Sequence, residues 1–209
     1  MTEIPALIAA FTTLFIIIDP PGLVPIFIAL TQGMTPAQRR AIAVRATIVS
    51  AVLMIVFLFL GEAVLGFIGI SMPAFRIAGG ILLFLTALEM LFQKRQARRQ
   101  DNAEEGVADH EDDPSVFPLA LPLIVGPGAI TTIILLAGQA EGAADFIAIT
   151  AVMFTVLLTV FLAFLSGTGI ERALGKTGIN IVTRLLGMLL AALAIQFILD
   201  GVSQSFGIG

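Results

Sequence analysis

The polar positions of this chain are gathered into short intervals, and between them run apolar stretches long enough to cross a bilayer. A helix needs about 20 residues to traverse the hydrocarbon core. Six stretches meet that length: Ile4–Leu30, Ala41–Leu60, Pro73–Phe92, Val116–Ala137, Phe146–Leu165 and Ile179–Leu199. Two of them are interrupted near the middle. The first carries Ile16-Ile-Ile-Asp-Pro-Pro-Gly-Leu-Val-Pro25, and the fourth carries a weaker echo, Leu123-Ile-Val-Gly-Pro-Gly-Ala-Ile-Thr-Thr132. In lipid, a broken helix leaves backbone groups that water cannot reach, so such breaks persist only when buried in protein or lining a cavity. The pattern predicts an all-α, polytopic membrane protein in which the two breaks meet around a site for a small polar solute.

Composition agrees. The chain is 58% hydrophobic and 12% charged, where a soluble domain carries about 25% charged residues. The absence of cysteine excludes disulfides and thiolate metal sites. His110, the single histidine, falls in a polar interval and reads as solvated rather than as a ligand. Trp and Tyr are absent, so interfacial anchoring falls to Phe and Arg. The N-terminal Met-Thr-Glu-Ile-Pro lacks the basic region of a signal peptide, and the apolar run after it is too long for one; it reads as a first span. The interval 93–115 runs from basic (Lys94, Arg95, Arg98, Arg99) to acidic (Asp101 through Asp113). Such a block is usually disordered and solvated. It is expected to be a flexible linker between a first unit, 1–92, and a second, 116–209.

Basic residues are unevenly placed. The intervals after the first, third and fifth spans hold Arg39, Arg40, Arg45, the four basic residues from Lys94 to Arg99, Arg172 and Lys176, and the opposite intervals hold almost none. The positive-inside rule makes the basic side cytoplasmic and puts both termini outside. An offset of about 108 residues also exposes a repeat. Glu62, Leu65, Gly66, Gly69 and Ile70 fall opposite Glu171, Leu174, Gly175, Gly178 and Ile179, and Arg76 and Gly79 opposite Arg184 and Gly187. With three spans in each half, the halves must insert with opposite orientation. Paired breaks in inverted halves are the sequence pattern of a transporter with its site at mid-membrane.

Chemistry at the breaks follows from the residue types. Pro20 and Pro21 lack an amide hydrogen, which frees the carbonyls of Ile16 and Ile17 to accept from an ammonium group. Beyond each break a new helix is expected to start, at about Leu23 after Gly22 and at about Ala129 after Gly126 and Gly128, with unpaired amides that favour an anion. Asp19 is the only acidic residue deep in a span, so it requires a partner or water. Two compatible roles are open to it: capping the second half-helix, with Pro20 at the first helical position, or binding a substrate amine or coupling proton. Val125 stands at the matching place in the second half, which leaves that helix start as a seat for a carboxylate, with Thr131 and Thr132 one turn on as hydroxyl donors. Helical threonines also bond back to their own helix. Arg76, Arg184 and Glu89 lie near span ends, where snorkelling accounts for them. Gly79, Gly80 and Gly187 suit close helix packing.

The chain resembles the MarC family of six-span inner-membrane proteins, which includes SnatA-type transporters of small neutral amino acids. The resemblance is carried by Asp19-Pro-Pro-Gly-Leu-Val-Pro-Ile-Phe27, by Ala74-Phe-Arg-Ile-Ala-Gly-Gly80 with Ala87-Leu-Glu-Met-Leu91, and by Pro122 through Thr132. It implies inverted halves, discontinuous first and fourth helices, an inner-membrane location and a central site for glycine or alanine. The family's usual Asp-Pro-Ile-Gly-Asn differs here at Pro21 and Leu23, which removes an asparagine amide beside the break. The lipid bilayer and a small-molecule substrate are the expected partners, and nucleic acid is not. No cofactor is called for, and a proton or sodium ion is the candidate coupling ion. Three other classes remain: a passive channel, a structural membrane protein and an intramembrane enzyme. Against the intramembrane enzyme stands the want of a second deep carboxylate, a serine elbow or a paired-histidine motif.

Overall fold

Proline decides where most of the helices start. In the computed structural model, which describes residues 3–109 and 113–207, proline occupies one of the first two positions of α1 (Ile4–Ile18), α2 (Pro20–Leu30), α3 (Pro36–Ile68), α4 (Met72–Leu91) and α6 (Pro127–Ala137). At these positions the missing amide has no helical partner to lose. Side chains complete the starts. Thr35 and Gln38 form a reciprocal capping box on α3, and Ser71 accepts from the amide of Ala74 on α4. The remaining helices are α5 (Lys94–Asp109), α7 (Ala143–Leu165) and α8 (Gly167–Phe206). No strand occurs among the described residues.

Five helical stretches are long and apolar enough to cross a membrane: Ile4–Leu30, Pro36–Ile68, Met72–Leu91, Ala143–Leu165 and Thr177–Phe206. The sixth expected span takes a different form. Ser115–Ile124 is a π-type segment that joins α6 at a 61° bend. Within it Phe117 (φ −124°, ψ 126°) and Leu121 (φ −121°, ψ 128°) are extended. Each directly precedes a proline, Pro118 or Pro122. The fourth span is therefore irregular well before Gly126. α6 alone, at about 16 Å, cannot cross a core of about 30 Å.

The stretch Ile4–Leu30 is the centre of the bundle. Of its apolar window 67% is buried, against 33% for α3 and α7 and 22% for the last span. α6 and α7 pack on α1, while α8 packs on α2 and most extensively on α4. The α4–α8 approach depends on missing side chains. A Cβ on Gly80 would stand 2.8 Å from the carbonyl of Ala194, and one on Gly187 would stand 2.8 Å from Cβ of Met90. Large apolar residues on the outer faces, such as Ile48, Val52 and Phe59 of α3 and Leu158 and Leu162 of α7, are exposed. In a bilayer that surface meets acyl chains.

The charged interval departs from expectation. Lys94–Asp109 is helical, and α5 packs against α2, α4 and the π-type segment. Arg95 and Arg99 are buried. At the far end of the interval the exposed Arg45 donates to Asp113 at 2.5 Å, fastening that end to α3. His110, Glu111 and Asp112 lie outside the described residues.

Candidate functional site

The first break is built by three consecutive local choices. Asp19 adopts the left-handed conformation (φ 57°, ψ 64°), closing α1 by donating its amide to the carbonyl of Phe15 at 2.9 Å. Pro20 and Pro21 follow with no amide to donate. Gly22 then turns its amide to Oδ1 of Asp19 at 3.2 Å, so the aspartate caps α2. Only glycine fits there, since a Cβ on Gly22 would lie 2.1 Å from Oδ2 of Asp19. The cap is thus one role of Asp19. It is fully enclosed, at 1% exposure, and Oδ1 also accepts from the hydroxyl of Thr183 at 3.3 Å.

The partner that a buried carboxylate requires comes from α5. Arg99 donates to Oδ2 of Asp19 at 3.2 Å and to the carbonyl of Ile18 at 2.9 Å. One turn earlier, Arg95 donates to the carbonyl of Ile17 and to Sδ of Met90. Two carbonyls exposed by the break are therefore held by resident guanidinium groups. The pair is Ile17 and Ile18 rather than Ile16 and Ile17, because Gly22 has turned its amide from Ile18 to the carboxylate. The side chain of Ile16 is buried in the apolar core. Burial, and then the neighbouring charge of Arg99, pull the Arg95 guanidinium down to about 9. Arg98, between them in sequence, donates to Glu89 at 2.7 Å.

The second break faces the first across a cavity of about 310 Å³. Its wall takes Ile17 from α1, Leu82 and Thr86 from α4, and Arg95, Arg98 and Arg99 from α5. The opposite wall is Pro122 to Ile124 and Gly126 to Ala129. Gly126 caps α6 with extended backbone and no side-chain hydrogen bond, so the first amides of α6 open beside this space. Gly128 lies against Ile17 and Leu83, where a Cβ would meet carbons at 3.2 and 3.3 Å.

The expected site residues separate into two groups. Ile17, Gly126 and Gly128 line the cavity, whereas Asp19, Pro20 and Gly22 form the buried joint behind it. Thr131 and Thr132 are outside its wall. The methyl of Thr131 occupies the notch left by Gly79, and Thr132 is buried with its hydroxyl unpaired. Arg95 and Arg99 were missed. Their signal was the spacing of four within α5, which puts both on one helix face, together with the need of Asp19 for a cation. Arg76, expected to snorkel, is instead buried at 6% exposure.

Comparison with known proteins decides the family. The model for the MarC family of integral membrane proteins matches residues 4–206. The chain belongs to the MarC family. A UPF0056 membrane protein of Archaeoglobus fulgidus is 41% identical, covering 94% of this chain and 92% of the relative. Among the bacterial relatives, the UPF0056 membrane protein YhcE of Escherichia coli is 34% identical over 98% of this chain and 95% of its own length. YvbG of Bacillus subtilis is 36% identical, with coverage of 96% and 95%. No solved structure matches the chain. As a MarC protein it is a multi-pass integral membrane protein, in keeping with its helical spans.

Proposed function

We propose that this protein transports small solutes across the membrane, with small neutral amino acids such as glycine or alanine as its substrates and the cavity between the two breaks as its site. One observation carries the proposal: Ile17 beside the first break and the Gly126–Ala129 start of α6 at the second line a single space, about 310 Å³ in volume. That volume is at the lower end of small-molecule sites, which span about 300–1,000 Å³, and it suits a solute of a few heavy atoms. The two interrupted elements occupy corresponding places in halves related by the sequence repeat. This supports inverted three-helix units and discontinuous first and fourth helices. The distribution of arginine and lysine supports a plasma-membrane protein with both termini on the non-cytoplasmic side.

The test is uptake of labelled glycine and alanine into proteoliposomes, with proton and sodium gradients imposed separately. Accumulation above equilibrium under one gradient supports coupled transport by that ion. Equilibration without accumulation identifies a passive channel, and no entry with the folded protein removes the proposal.

A further inference from the structure

Charge around the cavity does not balance. Three guanidinium groups line it, those of Arg95, Arg98 and Arg99. Among the described residues two carboxylates answer them, and neither is on the cavity wall: Asp19 holds Arg99 from behind, and Glu89 holds Arg98. Among the described residues the hydrogen bonds of Arg95, at 7% exposure, go to neutral groups, a carbonyl and a thioether sulfur, and the carboxylates of Asp19 and Glu89 act on it only from beyond contact. A buried cation with no carboxylate in hydrogen-bonding contact is costly, and folded proteins pair such groups. Here the unbalanced guanidinium borders an open space rather than packed side chains. The amides at the start of α6, with no capping side chain, reach the same space.

We propose that the cavity is a carboxylate subsite, in which Arg95 and Arg98 from the linker helix bind the acidic end of the ligand against the start of α6. The proposal rests on the transport function given above and adds a polarity to it. Both oxygens of Asp19 are already engaged, Oδ1 by Gly22 and Thr183 and Oδ2 by Arg99. The ammonium end of an amino acid therefore does not reach Asp19 in this arrangement, and recognition runs through the carboxylate. It also gives the linker a direct part in binding, since the charge-assisted donors come from α5 and not from the membrane spans.

The full-length protein in lipid nanodiscs provides the test, with thermal stability measured against millimolar alanine, propionate, ethylamine and chloride. A ligand that binds only the folded state raises the melting temperature with concentration. Alanine and propionate are expected to stabilise the protein, and ethylamine and chloride are not. In Arg98→Gln, a partly exposed position that touches neither Asp19 nor the break, the apparent affinity for propionate is expected to fall about tenfold. Arg98→Lys is expected to recover part of it. Stabilisation by propionate but not by alanine keeps the carboxylate subsite and removes the amino acid as substrate. Stabilisation by ethylamine, by chloride as strongly as propionate, or by none of the four overturns the subsite. So does an unchanged propionate response in Arg98→Gln.

Discussion

Oδ2 of Asp19 lies 3.2 Å from Nη1 of Arg99, and the two side chains are 1% and 5% exposed. One belongs to the joint between α1 and α2 and the other to the charged interval between the two halves. Their pairing draws a segment with a soluble composition into the middle of an apolar bundle. The guanidinium also occupies the Ile18 carbonyl, so a single side chain neutralises the acid and satisfies part of the broken backbone. The break and the linker helix are accordingly one unit.

Removing both members of this pair is expected to cost less than the sum of removing each alone. Arg99→Ala leaves Asp19 buried without its paired cation, a loss of about 3–5 kcal/mol for an enclosed pair. The double variant Asp19→Asn/Arg99→Gln is expected to be more stable than the sum of the two single losses predicts, by about 1–3 kcal/mol. Unfolding in mixed micelles measures both values. Strict additivity would show that the two groups do not interact.

Asp19→Asn separates the cap from the charge. The amide oxygen still accepts from Gly22, so the start of α2 is expected to survive and the protein to fold. Uptake of alanine in proteoliposomes is expected to be abolished or uncoupled from its driving ion, since the variant loses both the titratable group and the anchor of Arg99. A folded variant with wild-type uptake and unaltered pH dependence would remove Asp19 from the mechanism.

At Gly22 a methyl group has nowhere to go. It would fall 2.1 Å from Oδ2 and 2.7 Å from Cγ of Asp19, a side chain held on three sides. Gly22→Ala is expected to destabilise by about 1–3 kcal/mol through overpacking and a displaced cap. Gly33→Ala is the contrast: its site is open but its φ is +80°, so only the backbone cost of about 1–2 kcal/mol applies. Melting temperatures of the two variants, compared with and without Asp19→Ala in the background, distinguish the causes. Asp19→Ala is expected to relieve Gly22→Ala and to leave Gly33→Ala unchanged.

Acid is expected to release the far end of the linker. Partial burial raises the Asp113 carboxyl, but hydrogen bonds from Ser115 and the Arg45 guanidinium outweigh it and hold the group below its ordinary value. A carboxyl depressed in the folded state contributes stability above the unfolded pKa of about 3.9, and that contribution disappears as pH falls through the folded value. With Arg45 64% exposed and Asp113 38% exposed, the pair contributes no more than about 1 kcal/mol. Asp113→Asn is expected to be slightly less stable than wild type at pH 6, and the two are expected to converge below the usual carboxylate range. A stability difference independent of pH would exclude the ion pair as its source.

Several features were legible because their causes act within a few residues. Pro20 and Pro21 end one helix and open the next at Asp19 whatever surrounds them, and Gly126-Pro127 opens α6 in the same way. The prolines at 118 and 122 carried the same kind of local information. They stand directly after the two extended residues, Phe117 and Leu121, that make the fourth span irregular before Gly126. Gly80 and Gly187 also pack as their size indicates.

By itself, then, the sequence determined that the chain is a membrane protein, roughly where its spans run and where two of them are interrupted, because hydropathy, proline and glycine act through neighbouring backbone. Only the tertiary structure decided what meets the interruptions. Asp19 and Arg99 are 80 positions apart, and Asp19 and Thr183 are 164 apart. Composition places a run of arginines in water, since desolvating a charge is unfavourable until a partner stands at hydrogen-bonding distance. That partner exists only once α1 has broken and α5 has packed across the break.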